Sequence, residues 1–119
     1  MENFEGRTVS LDIAKMIVAC AEDKKSKDIR VFDVDKVSDI CSYQILCSGD
    51  SERQTQAIAE AIEKECKSQL GMMPNCIEGK SEGLWILLDY GSILVHVFHK
   101  ESRAYYALER LWESKEVKL

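Results

Sequence analysis

Two adjacent apolar runs, separated by a short polar segment, constrain the fold of this chain more than any other feature. Residues 85–98 read Trp-Ile-Leu-Leu-Asp-Tyr-Gly-Ser-Ile-Leu-Val-His-Val-Phe. Apolar runs that flank a glycine able to adopt positive φ are typical of a β-hairpin. The sequence therefore predicts two antiparallel strands joined by a tight turn at Tyr90 and Gly91.

This turn would give the hairpin an aliphatic face and a mixed face, because successive side chains of a strand point to opposite sides. The predicted aliphatic pairs are Ile86 with Val95, Leu88 with Ile93 and Leu84 with Val97. The predicted mixed pairs are Trp85 with His96, Leu87 with Leu94 and Asp89 with Ser92, with Phe98 at the end. The aliphatic face suits a core beneath helices, whereas the mixed face suits contact with a partner.

Periodicity along the rest of the chain predicts the element order α-β-β-α-β-β-β-α. The predicted helices cover residues 9–26, 51–70 and 102–112, and the predicted strands before the hairpin cover 29–34, 40–48 and 72–78. The inner stripe of the last helix is predicted to be Tyr105, Leu108, Leu111 and Trp112. We therefore expect an α/β fold in a single domain, 1–119, with a mixed sheet of about five strands and helices packed mainly on one face.

Two local signals support the predicted helices. Ser51 and Gln54 have the spacing of a capping box, and Gly71 suits the left-handed residue that ends a helix. The first helix carries an apolar surface broad enough for burial on two sides. Its second side could meet a neighbouring element, another protein or a second copy of the chain, so homodimerisation stays open.

Composition narrows the classes of partner. The formal net charge of −5 argues against wide contact with nucleic-acid phosphates and fits a basic protein partner. The chain has neither a charged-then-apolar leader nor an apolar run of the ~20 residues that a membrane span needs. We expect a cytoplasmic protein with no membrane association, although an organelle form lacking its transit peptide would look the same.

The cysteines and histidines predict no disulfide framework and no metal site. The five cysteines form no C-x-x-C pair, so reduced, buried thiols are expected. His96 and His99 would point to opposite faces of a strand, which makes shared metal ligation difficult.

Two acidic motifs permit an enzymatic alternative. Asp33 and Asp35 follow a buried strand and resemble paired carboxylates that hold Mg²⁺ in nucleotidyl transfer. The segment 48–51, Ser-Gly-Asp-Ser, precedes a helix whose N-terminus could receive a phosphate. Nucleotidyltransferases place their Gly-Ser element before the carboxylates, however, and Asp50 would repel a phosphate. The sequence favours a protein without catalytic residues or cofactors.

Several blocks of the chain resemble the ribosomal silencing factor family, also called the Iojap family. These blocks are residues 31–34, 48–51, 53–54, 78–79, 85–91, 95–98 and 103–112. They follow the order and spacing of the family and extend over about residues 9–113. Two positions depart from the family pattern, because Ser42 replaces an aspartate and Gln44 replaces an aromatic residue.

The resemblance implies a compact domain related in shape to nucleotidyltransferases but without their catalysis. Members of this family bind ribosomal protein fourteen of the large ribosomal subunit, on the surface that meets the small subunit. A domain bound there blocks subunit joining and represses translation during starvation or stationary phase. Organelle relatives act in assembly of the large subunit, which is the main alternative function.

The mixed face of the hairpin, read together with this resemblance, gives a candidate protein-binding patch. Its predicted members are Trp85, Leu87, Tyr90, His96 and Phe98, flanked by Arg103 and Tyr106. Trp85 and Leu87 are expected to supply apolar contact area. His96 and Tyr90 are expected to supply hydrogen bonds, and Arg103 to orient the partner. No sequence-specific nucleic-acid contact is expected.

Overall fold

A computed structural model of the protein describes residues 4–119, with side chains from residue 9 onward. The elements are α1 (Phe4–Asp23), β1 (Lys27–Asp33), β2 (Tyr43–Gly49), α2 (Glu52–Leu70), β3 (Cys76–Glu78), β4 (Trp85–Asp89), β5 (Ile93–His99), α3 (Lys100–Tyr106), a 3-10 helix (Leu108–Lys115) and β6 (Glu116–Val117). The predicted α/β class is confirmed, and the predicted order is followed up to α3.

The strands form one mixed sheet in the order β3-β4-β5-β2-β1-β6. Strands β2 and β5 are parallel neighbours, and the other neighbouring pairs are antiparallel. The sheet has six strands rather than about five, because the short strand β6 adds to the edge of β1 through Val117 opposite Val31. The parallel pair at the centre places β5 beside β2, so side chains from distant parts of the chain meet there.

Helices α1 and α2 cover one face of the sheet, as the sequence predicted. Their buried residues include Ile13, Ile17, Ile58 and Ile62, which pack against Ile45, Ile86, Leu88, Val95 and Val97 of the sheet. We call this side the helix-covered face. The broad apolar surface of α1 is accounted for by the sheet on one side and α2 on the other. The sequence left homodimerisation open, and this packing of α1 does not require it.

Both ends of α2 have the capping residues that the sequence predicted. The Gln54 backbone N–H donates to the Ser51 hydroxyl at 3.1 Å, and the Gln54 side-chain oxygen accepts from the Asp50 N–H at 2.7 Å. Gly71 ends the helix with φ of 63°. Both predictions are confirmed, because each depends on hydrogen bonds among residues close together in sequence.

The hairpin has its predicted faces but not its predicted register. Leu88 lies opposite Val95 and Trp85 lies opposite Phe98, a shift of two positions from the prediction. The Tyr90 N–H donates to the Ile93 carbonyl at 2.9 Å, which makes Gly91 and Ser92 the turn residues rather than Tyr90 and Gly91. A two-residue shift leaves every side chain on its own face because the strand period is two.

A local hydrogen bond explains where the turn falls. The Asp89 carboxylate accepts from the Gly91 N–H at 2.8 Å, and Gly91 has φ of 84°, a conformation that glycine adopts without strain. Val97 lies opposite Ile86, so its predicted pairing with Leu84 is wrong, and Leu84 itself precedes β4 and is exposed.

The opposite face of the sheet is partly covered by the C-terminal segment. The predicted helix over 102–112 is wrong, because α3 ends at Tyr106 and Ala107 adopts a left-handed φ of 47°. Leu108 and Trp112 pack against the sheet as predicted. Tyr105 and Leu111 are 82% and 69% exposed. The break at Ala107 rotates the residues after it relative to those before it, so the four predicted stripe residues do not share one face.

The cysteines are all free thiols. Cys41, Cys47 and Cys66 are buried and Cys20 is half-buried, whereas Cys76 is exposed on the edge strand β3. The expectation of buried thiols is therefore wrong for Cys76. All three residues of β3 are exposed, because this strand lies at the edge of the sheet. Over residues 4–119, no helix combines the length and apolar character needed to cross a membrane.

Candidate protein-binding face

Five aromatic side chains gather on the side of the sheet opposite α1 and α2. We call this side the aromatic face, and its aromatic cluster consists of Trp85, His96, Phe98, Tyr105 and Tyr106. The Trp85 ring centroid lies 4.8 Å from Phe98, 4.8 Å from Tyr106 and 6.0 Å from His96. Tyr105 meets Tyr106 edge-on at 5.0 Å. The β4–β5 hairpin supplies the base of the cluster, and α3 supplies its outer side.

Exposure increases from the base of the cluster to its rim. Phe98 is fully buried and His96 is 6% exposed, whereas Trp85 is half-buried. Tyr106 is 54% exposed and Tyr105 is 82% exposed. Large aromatic side chains held on a rigid base, with their outer surfaces exposed, are typical of contact residues in protein interfaces.

A chain of hydrogen bonds runs beneath this surface. The Trp85 Nε1–H donates to His96 Nδ1 at 3.1 Å, and His96 Nε2 lies 2.7 Å from the Gln44 side-chain oxygen. The Gln44 amide nitrogen donates to the Cys41 sulfur at 3.4 Å. An indole nitrogen can only donate, so Nδ1 must accept and Nε2 must carry the imidazole proton. The Trp85 donor and the Gln44 acceptor therefore favour the same His96 tautomer.

Burial, together with a smaller contribution from the nearby Arg103 charge, lowers the pKa of His96 to about 4. The imidazole is therefore neutral at neutral pH, as its acceptor role towards Trp85 requires. Both ring nitrogens of this histidine already bond to other side chains of the protein, Trp85 and Gln44. The predicted use of His96 as a hydrogen-bond donor to a partner is at odds with this arrangement.

Arg103 lies beneath the cluster rather than at its rim, since it is only 5% exposed. Its guanidinium donates to the Ser48 hydroxyl at 2.8 Å and to Glu109 at 3.1 Å, and it lies 3.2 Å from the Asp28 carboxylate. These partners belong to β2, the 3-10 helix and β1. Arg103 therefore fixes the C-terminal segment to the sheet, and no sequence signal indicated its contacts with Ser48 and Asp28, which are distant along the chain.

Tyr90 is separated from the other predicted patch residues. It is 6% exposed within the core of the helix-covered face, beside Cys66, and burial raises the pKa of its hydroxyl. Strand alternation could have indicated this, because Tyr90 has the same parity as Ile86 and Leu88. Leu87 is half-buried on the aromatic face, directly opposite His96.

Gln44 and Tyr105 belong to the aromatic face although the predicted patch omitted both. Gln44 alternates with Tyr43 and Ile45 along β2, so its side was predictable but its contact with His96 was not. Tyr105 was expected in the core because a continuous helix was expected.

The carboxylates of the two acidic motifs form hydrogen bonds and an ion pair with nearby residues. The Asp33 carboxylate accepts from the Asp35 N–H at 3.2 Å, and the Ser42 hydroxyl donates to Asp35 at 3.0 Å. Asp50 lies beside the α2 N-terminus and pairs with Lys27 at 2.7 Å. Among the residues that the structure describes, no group of three or more His, Cys, Asp or Glu side chains could hold a metal ion.

Comparison with known proteins agrees with these observations. A family described as "Ribosomal silencing factor during starvation" matches residues 8–119. The ribosomal silencing factor of Bacillus subtilis is 41% identical over 100 residues, which cover 84% of each chain. A crystal structure from Bacillus halodurans superposes with a TM-score of 0.81 at 36% identity and covers 92% of this chain and 99% of that one.

A more distant relative is the mouse protein named "Mitochondrial assembly of ribosomal large subunit protein 1". It is 30% identical over 102 residues, which cover 82% of this chain and 43% of that protein. The fold and the site define a small α/β domain with an aromatic surface on the sheet side that α1 and α2 leave uncovered. The chain belongs to the ribosomal silencing factor family.

Proposed function

We propose that this protein binds the large ribosomal subunit through ribosomal protein fourteen and sterically blocks joining of the small subunit. It thereby represses translation under starvation or stationary phase, acts in the cytoplasm and uses no catalytic step. Family membership supports the proposed role, and the family description itself refers to starvation. The single structural observation that carries the proposal is the graded exposure of the aromatic cluster.

The proposed contact residues divide into two layers. Trp85, Leu87 and Tyr106 have exposed surface on the aromatic face and would touch the partner directly. His96, Phe98 and Arg103 would support them from below, because all three are buried. Tyr90 lies in the core of the other face and is not part of the proposed patch.

Charge favours a basic partner. The protein has a formal net charge of −5, and complementary charge accelerates encounter and fixes the relative orientation of two proteins. A basic ribosomal protein would meet this requirement. Association is therefore expected to weaken as salt concentration rises, because exposed charges are screened.

Sucrose-gradient sedimentation with separated ribosomal subunits tests the proposal. The protein should migrate with the large subunit alone and should reduce the fraction of joined ribosomes. Trp85→Ala should weaken both effects, whereas Leu70→Ala should leave them unchanged, because Leu70 is exposed at the far end of α2. Absence of co-migration at low salt would refute ribosome binding.

The name of the mouse relative supports a second candidate function, assembly of the large subunit. The same gradients separate the two functions. Co-migration with the large subunit without any effect on subunit joining would favour assembly over silencing. Accumulation of large-subunit precursors in cells lacking the protein would point the same way.

A further inference from the structure

Gln44 occupies an unusual position for a polar side chain. It lies in the central strand β2 and is 6% exposed on the aromatic face, where Phe32, directly opposite it on β1, and Leu46 are fully buried. A buried amide needs hydrogen-bond partners, and Gln44 has one on each end. Its oxygen faces His96 at 2.7 Å and its nitrogen faces Cys41 at 3.4 Å.

The two ends of the Gln44 amide are not interchangeable. The Trp85 indole donates to His96 Nδ1, so His96 can offer only a proton at Nε2. Gln44 must therefore present its oxygen to His96, and the amide nitrogen is left to donate to Cys41. The Trp85 donor and the Gln44 acceptor thus hold the same His96 tautomer from opposite sides of the ring.

We propose that Gln44 is a positioning residue that, together with the Trp85 donor, holds His96 in the tautomer with its proton on Nε2 and thereby keeps the Trp85 indole in its binding orientation. Without the Gln44 acceptor, the buried Nε2–H loses its partner, so the tautomer with the proton on Nδ1 becomes competitive. That proton would face the Trp85 N–H, and two donors cannot share a hydrogen bond. The indole would then turn away from its tilted contacts with the Phe98 and Tyr106 rings.

This inference rests on the proposed function, because the orientation of Trp85 matters only if the aromatic face binds a partner. It also specifies the chemistry of that contact. The Trp85 N–H is already satisfied by His96, so the partner meets the indole through its apolar ring surface. The partner group opposite Trp85 should therefore be aliphatic, aromatic or a stacked guanidinium rather than a hydrogen-bond acceptor.

Nitrogen NMR of the histidine rings tests the tautomer directly in the unmodified protein. His96 should carry its proton on Nε2 at pH 7, and the Trp85 indole N–H should exchange slowly with solvent. A wild-type His96 with its proton on Nδ1 would overturn the proposal without any mutation. This measurement does not depend on the ribosome, so it separates the inference from the proposed function.

The variant Gln44→Met removes the acceptor while keeping a side chain of similar length. It should give mixed His96 tautomers, faster exchange of the Trp85 N–H and weaker large-subunit binding, by about fivefold for one lost hydrogen bond. Leu46→Met is the matched control, since Leu46 is fully buried on the same face of the same strand. Slow Trp85 exchange and the Nε2 tautomer retained in Gln44→Met would overturn the proposal.

A double-mutant cycle distinguishes positioning from a merely structural role. In a Trp85→Phe background there is no indole N–H, so the His96 tautomer no longer affects the aromatic ring at that position. The fivefold loss caused by Gln44→Met should shrink to less than about twofold there. An equal loss in both backgrounds would show that Gln44 acts only through folding.

Discussion

The two faces of the sheet use different interactions to hold their side chains. The helix-covered face is almost entirely apolar, with Ile45, Ile86 and Val95 packed against helix residues such as Ile58 and Ile62. The aromatic face combines apolar rings with buried polar groups, notably His96 and Arg103. Apolar packing is non-directional, whereas hydrogen bonds fix orientation. The first face therefore mainly stabilises the fold, and the second fixes the geometry of a surface.

The largest expected effect is on the helix-covered face. Ile62→Ala should lower the free energy of unfolding by about 3 kcal/mol, because a fully buried isoleucine leaves a cavity. Leu94→Ala on the aromatic face should cost roughly half as much, since Leu94 is only half-buried. Urea denaturation measures both values. Equal costs for the two variants would contradict the distinction between the faces.

Sequence alternation predicted which residues lie on each face, because side-chain direction in a strand depends only on position. It could not predict the register, because Gly91 can be the second residue of a turn with Tyr90 or the first residue of a turn with Ser92. The hydrogen bond from the Gly91 N–H to the Asp89 carboxylate favours the turn with Ser92. The break at Ala107 was equally hidden, because alanine carries no signal for a left-handed conformation. The contacts of Arg103 join residues from four elements, which no local pattern encodes.

Lowering the pH is expected to reduce the free energy of unfolding by a similar or slightly smaller amount. The folded-state pKa of His96 is lowered to about 4 from an ordinary value near 6.5. Between these two pH values the unfolded chain binds a proton that the folded protein does not, so acid favours unfolding. This contribution to stability is fully present above pH 6.5 and is lost as pH falls towards 4. Its size is roughly 3 kcal/mol for a shift of this magnitude.

Denaturation of the wild type and of His96→Gln between pH 4 and pH 7 isolates this contribution from that of the carboxylates. The wild type should lose more stability than the variant over this range. Arg103 is the charged group that faces His96, and it disfavours protonation throughout the range. Parallel pH profiles for the two proteins would show that His96 is not buried in a neutral state.

The smallest effect on stability should accompany a large effect on binding. Tyr106 is 54% exposed, so Tyr106→Ala should change the free energy of unfolding by less than about 1 kcal/mol. Its ring contacts Trp85 at the rim of the aromatic cluster, and removing it should weaken large-subunit binding by about tenfold or more. Leu70→Ala, which truncates a comparably exposed side chain near the helix-covered face, should change neither quantity by a comparable amount. Gradient sedimentation and denaturation of the same samples measure both. If Tyr106→Ala and Leu70→Ala bind equally well, the rim of the aromatic cluster is not the contact surface. The proposed distinction between a face that stabilises the fold and a face that binds a partner would then be wrong.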